Sequence, residues 1–141
     1  MRKHVDGKSA VFTGHVIGTA DIKATSGVLT TTPSGTITVT SGTATKVRVE
    51  TATNGSGTVV PAQSLASGSS ITVFAITRDT LDNFVANVAA DVWSLQNITG
   101  SVVAGDLVPA VDTKSAVFTA HVAGSANIRA TSGVLAATSS G

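Results

Sequence analysis

No cysteine occurs among the 141 residues, which removes disulfides, thiolate metal sites and cysteine nucleophiles in one step. Charge is scarce as well. Lys, Arg, Asp and Glu make up 12% of the chain and leave a formal net charge of +1. So small a charge projects no long-range field, and neither nucleic acid nor an anionic membrane is an expected partner. No continuous apolar run reaches the ~20 residues that a membrane helix requires. The start, Met1-Arg2-Lys3-His4-Val5-Asp6-Gly7, is basic but has no apolar stretch behind it. It does not read as a secretion signal, and an exported parent is expected to carry its signal outside this stretch. Aromatic residues are only 4%.

What remains is Thr, Ser, Gly, Ala and Val, in a chain that is 42% hydrophobic and so able to build a core. Val and Thr favour pleated strands, and Gly and Ser favour the turns between them. The surface draws its polarity from hydroxyls rather than charges.

The chain repeats itself. The segment from Lys8, KSAVFTGHVIGTADIKATSGVLTTTPSG, returns from Lys114 as KSAVFTAHVAGSANIRATSGVLAATSSG, an offset of 106 residues with 20 of 28 aligned positions identical. Chance does not produce this. Such a period is too long for a solenoid turn and fits one small sandwich domain. Residues 1–42 therefore read as the C-terminal part of one repeat, and residues 43–141 as a second, nearly complete repeat. The first copy continues past Gly35 into Thr36-Ile37-Thr38-Val39-Thr40, whereas the second stops at Gly141. The later repeat is thus expected to want a last strand, leaving an open edge beside the strand around Ile128.

Strand signals fill the remainder. In Lys46-Val47-Arg48-Val49-Glu50 charges alternate with valines, the pattern of a strand with one face in water. Ser70 to Thr77 is a more fully apolar run, suited to a central strand. Trp93 and Leu95 share one face of another strand, and the ring is expected between two sheets. Ala126, Ile128 and Ala130 alternate with Asn127, Arg129 and Thr131. No helical period stands out. Short strands separated by Gly, Asn, Asp and Ser predict an all-β, antiparallel sandwich in a tandem repeat array, with Val47, Val49, Ile71, Val73, Trp93, Leu95, Phe118 and Ile128 in the core and Phe12 and Ile22 as repeat-mates.

The stretch Ile76-Thr77-Arg78-Asp79-Thr80-Leu81-Asp82-Asn83-Phe84-Val85 resembles the loop-and-strand signature of bacterial immunoglobulin-like domains of the invasin and intimin type, with Asp82 where Gly is usual. Gly124-Ser125-Ala126-Asn127-Ile128-Arg129-Ala130, and its copy from Gly18 to Ala24, is similar to the Gly-Thr-Ala-x-Val-x-Ala strand of the same group. The resemblance covers most of residues 45–141. It implies an immunoglobulin-like sandwich serving as a stalk segment in an adhesin or other large surface protein of a bacterium, extracellular or at the cell surface.

Candidate chemistry is thin. Asp79, Asp82 and Asn83 crowd one loop, and hard oxygen ligands at short spacing suit calcium, although Asp and Asn also shape turns through bonds to their own backbone. No other cofactor is suggested. His15 and His121 are one position in two copies, expected exposed on strands and lacking any local nucleophile or metal pattern; His4 stands alone. An internal Lys–Asn isopeptide crosslink would need Lys46 or Lys114 buried beside a carboxylate, which their strand positions disfavour. The row Thr36, Thr38, Thr40 reads as an ordinary exposed strand face.

The sequence therefore points to a structural or adhesive extracellular module and not to an enzyme. It is expected to extend a surface protein, or to form a filament in which Thr36, Ile37, Thr38, Val39 and Thr40 of one copy complete the sandwich of another near Ile128. The rival reading is a β-sandwich that binds a glycan or another surface ligand. That reading needs exposed aromatic rings, and Trp93 looks committed to the core.

Overall fold

A computed structural model describes residues 2–3 and 6–141 of the chain. His4 lies outside the described residues. The protein is all-β, with one short 3-10 turn at Ala104–Asp106. Two compact units divide it, Met1–Ser41 and Gly42–Gly141.

The first unit holds two antiparallel pairs. Strand β1 (Arg2–Lys3) pairs with β2 (Ala10–Val11), and β3 (Gly18–Ala20) pairs with β4 (Ile37–Val39). Along β4 the alternation is clear: Ile37 and Val39 are half-buried, while Thr36, Thr38 and Thr40 are exposed. Val39 closes over Gly14, where an added Cβ would stand 2.7 Å from Cγ2 of the valine. Glycine alone permits that approach. No described residue before Gly42 is buried, and Phe12 and Ile22 are only half so. So short a segment gains little from hydrophobic burial, since most of its surface stays in water.

The second unit is built differently. Its strands are β5 (Lys46–Glu50), β6 (Ser70–Arg78), β7 (Phe84–Asn87), β8 (Val92–Gly100), β9 (Leu107–Pro109), β10 (Ser115–Thr119), β11 (Gly124–Thr131) and β12 (Ala136–Thr138). One sheet runs β12-β5-β6-β10-β9, with β7 also on β6; the other is β8 with β11. All pairings are antiparallel except that of β12 with β5. Inward positions follow the period of two: Val47 and Val49 from β5, Val73 and Ala75 from β6, Ala116 from β10, and Ile128 and Ala130 from β11 meet in one buried cluster. Each fully buried valine contributes roughly 1.5–3 kcal/mol relative to an exposed one.

Trp93 differs from expectation. It is half-buried, packs against the core, and donates its Nε1–H to the carbonyl of Thr113 at 2.8 Å. The polar edge of the indole needs such a partner, which keeps the ring at the margin of the core. Ile71, Leu95 and Phe118 are likewise half-buried against it.

Candidate functional site

The turn between β6 and β7 gathers the residues singled out for calcium. Asp79 closes β6 and is only 5% exposed. Its Oδ1 accepts the N–H groups of Leu81 and Asn83, each at 2.9 Å, and its Oδ2 accepts the N–H of Gly42 at 2.9 Å and the Nδ2 of Asn83 at 3.1 Å. A carboxylate offers about four lone-pair directions, and these donors occupy them. The Gly42 N–H foremost, then the Asn83 side chain and the N–H groups of Asn83 and Leu81, hold the Asp79 carboxyl down to about 2. Asp79 and Asn83 are thus brought together as a turn clamp. Asp82 is not brought with them: at φ 68 it takes the left-handed conformation that favours glycine, and its Oδ1 meets Lys46 Nζ and, at 2.7 Å, Arg48.

A pH dependence follows. The depressed carboxyl of Asp79 stabilises the fold fully above pH ~4, the ordinary carboxylate range, and that stabilisation is lost as pH falls toward about 2. Thermal melts across this window are expected to show a drop that Asp79→Asn flattens. Chelator or millimolar calcium is expected to leave the melting temperature unchanged at pH 7; a calcium-dependent rise would assign these oxygens to a cation.

A larger polar cluster escaped the sequence reading. Glu50 lies on the strand face expected to meet water, yet it is 1% exposed. The chain after β5 folds back, with Glu50 bridged to Val59, and covers the end of the strand. Its partner is Arg78, whose Nε and Nη2 donate to Oε1 and Oε2 at 2.6 and 2.8 Å. The same guanidinium donates to the carbonyls of Asp82 (2.8 Å), Gly55 (3.1 Å) and Gly57 (3.3 Å). The Glu50 hydrogen bond raises the Arg78 pKa further. One side chain therefore ties β5, the loop at 55–57 and the turn at 79–83 together. Lys46 is half-buried and held by Asp82, and Lys114 is exposed.

His121 lies in the loop between β10 and β11 rather than on a strand, and its Nδ1 sits 2.6 Å from Oδ1 of Asp106, which is 4% exposed. The N–H of Val103 on Oδ2, then His121, hold the Asp106 carboxyl below the usual carboxylate range. A serine relay would place a hydroxyl on the imidazole. Ser67 instead donates to the main-chain carbonyl of His121 at 2.7 Å, so the group pins a loop. His15, its repeat-mate, is exposed.

The residues expected to take part in assembly are placed as follows. In β11 the odd-numbered residues turn toward β8, as the bonds from Ser101 to the Ala123 carbonyl and from Asp91 to the Thr131 carbonyl indicate. Gly124, Ala126 and Ile128 therefore aim N–H and C=O at the other edge. At Ile128 that edge is closed: the N–H of Ser140 donates to the Ile128 carbonyl at 2.8 Å, and the Ile128 N–H donates to Ser140 Oγ at 2.7 Å. The expected opening beside Ile128 is thus corrected. The segment after β11 turns back through β12 and seals it. In the first copy Ser34 and Ile22 make the same two bonds, each at 2.8 Å. Beyond this shared clasp the copies part: Gly18–Ala20 pair with Ile37–Val39, whereas Gly124–Ala126 have no second neighbour strand among the described residues.

No protein-family model, curated protein or solved structure matches the chain.

Proposed function

We propose that the chain is a structural module of an extracellular or cell-surface bacterial protein, an immunoglobulin-like repeat that extends a stalk or filament and carries no catalysis. The observation that supports it most is the duplicated Ser–Ile clasp, made with the same bonds at Ile22 and Ile128 in segments 106 residues apart. Sequence identity at that spacing, with matching local bonding, fits repeats of one domain in series. The strand order adds to this. Taking β5, β6, β8, β9, β10 and β11 in turn, the first, second, fifth and fourth share one sheet and the third and sixth the other, the arrangement of immunoglobulin-like sandwiches. The first unit then supplies the end of one repeat and the second unit the body of the next.

The rival, a glycan-binding module, draws less support. Its usual platform is a patch of exposed rings, and Phe12, Phe74, Phe84, Trp93 and Phe118 are all half-buried.

Pulling the full chain from its two ends tests the reading. A load-bearing module is expected to open residues 42–141 in one cooperative event that releases roughly 330–360 Å at ~3.3–3.6 Å per residue. Gradual extension without a distinct event would refute a mechanical role, and saturable binding on a glycan array would favour the rival.

A further inference from the structure

We propose that Asn54 is a site of spontaneous covalent modification, where the chain closes a succinimide on its own backbone at Asn54-Gly55 and opens it to aspartate or isoaspartate. The site lies in the loop between β5 and β6, and its chemistry does not depend on the module reading.

Ring closure needs the backbone nitrogen that follows an asparagine to reach the side-chain carbonyl carbon. A Cβ on the following residue obstructs that approach, and Gly55 has none. The four other asparagines lack this freedom: Asn83, Asn87, Asn97 and Asn127 precede Phe84, Val88, Ile98 and Ile128. Asn83 is also buried, and Asn97 donates its Nδ2 to Asn127 Oδ1 at 3.0 Å. Asn54 is exposed, so water reaches both the amide and the ring that replaces it.

The local turn adds to this. Oδ1 of Asn54 accepts the Ser56 N–H at 3.1 Å and the Ser56 hydroxyl at 2.6 Å. The first bond closes a turn in which the side-chain carbonyl stands in for a backbone carbonyl, so the side chain curls over the Gly55 peptide. Such confinement replaces the search that a free chain must make. Both donors lie on the oxygen that turns anionic when its carbon is attacked, and they lower that barrier. Solvent hydroxide takes the Gly55 N–H proton, and the nitrogen bonds to Cγ of Asn54. The C–N bond to the side-chain amide breaks, and ammonia leaves with a proton returned from water. Water then opens the ring. Attack at the side-chain carbonyl gives aspartate, and attack at the backbone carbonyl gives isoaspartate.

Isoaspartate routes the backbone through the side chain and adds one atom between the Cα of residue 54 and Gly55. The loop is fastened on both sides of that point. The Thr51 N–H donates to the Thr58 carbonyl at 3.0 Å, and Glu50 is bridged to Val59. Gly55 lies against Phe84, where an added Cβ would stand 2.6 Å from Cγ of the ring, and its carbonyl accepts from Arg78 Nη2 at 3.1 Å. An extra backbone atom displaces both contacts, and the cover over Glu50 loosens with them. Aspartate keeps the backbone path and leaves the cover in place. Loss of ammonia is irreversible in dilute solution, so the site converts the age of the molecule into a loss of stability in the second unit.

Incubating the 141-residue chain at mildly alkaline pH, folded and in urea, with peptide mass analysis over time, tests this. Asn54 is expected to convert first among the five asparagines, and at least as fast in the folded chain as in the unfolded one. Ser56 is exposed, so alanine there leaves the fold intact. Ser56→Ala is expected to slow conversion severalfold in the folded chain and to leave the rate in urea near the parent's. The aged chain is expected to melt several degrees lower, in proportion to its isoaspartate, whereas Asn54→Asp melts with the parent. An Asn54 that stays an amide in the folded chain while the unfolded chain converts overturns the proposal. So does a folded rate indifferent to Ser56→Ala, or isoaspartate at residue 54 that leaves the melt unmoved.

Discussion

Arg78→Ala is expected to destabilise the second unit by about 3–5 kcal/mol, the cost of leaving one member of a buried ion pair alone. Glu50 would keep its carboxylate at 1% exposure with the two guanidinium bonds gone. Water cannot replace them without opening the loop at 55–57, whose Gly55 and Gly57 carbonyls also lose their donor. For a unit of this size the loss is a fall in melting temperature of more than ~12 °C. Urea titration checks it by a shifted midpoint at unchanged slope. A double substitution, Glu50→Leu with Arg78→Met, separates the two roles of the guanidinium. An apolar pair of similar volume is expected to recover the ion-pair part. The remaining deficit then belongs to the carbonyls of Gly55, Gly57 and Asp82 that Arg78 serves. Near-equal melting temperatures for Arg78→Ala and the parent chain would mean that Glu50 finds another partner or protonates at no cost.

Why was this pair invisible in the sequence, when so much around it was legible? The strands were readable because their information is local. Val47 and Val49 announce an inward face by alternating with charges, and they are fully buried. Ile128 and Ala130 do the same in β11, and Ile37 and Val39 more weakly in β4. The alternation that exposes Lys46 and Arg48 in part also assigned Glu50 to water, and there it failed. Burial of Glu50 depends on a loop that returns over the strand end and on an arginine 28 residues away, and no window of a few residues contains either. The turn at 79–83 stood between these cases. Its Asp and Asn were recognised as turn formers or oxygen ligands, and the choice required the positions of the N–H donors, of which Gly42 is 37 residues distant. The fold-back of Ser140 onto Ile128 was not legible either, because it rests on a chain return of 12 residues rather than on strand alternation.

The repeat also sets up a contrast that sequence identity conceals. Gly18 and Gly124 are the same residue in two copies, with φ 154 and 159. Alanine at Gly18 would meet nothing within 4 Å. Alanine at Gly124 would put its Cβ 2.3 Å from the carbonyl oxygen of Thr99 and 2.9 Å from Val102. The first obstacle is backbone of the paired strand β8, so it cannot swing aside as a side chain does. Across the pair stands Gly100, at φ 64, where an added Cβ would be 2.5 Å from the carbonyl oxygen of Ala123. Two glycines facing each other let β8 and β11 approach at their common end, and the loop at 101–103 then tucks Val102 into the core at 7% exposure. Gly124→Ala is expected to cost roughly 2–5 kcal/mol, from overpacking together with an unfavourable backbone conformation. Gly100→Ala falls in the same range. Gly18→Ala bears the conformational part alone, and since its unit buries no described residue, the melt of the second unit is expected to stay within ~0.5 kcal/mol of the parent. Denaturant titrations of the three variants, followed by the fluorescence of Trp93, check the series. Equal losses at Gly18 and Gly124 would trace the effect to the glycine itself. The expected inequality traces it to β8, the strand paired with Gly124.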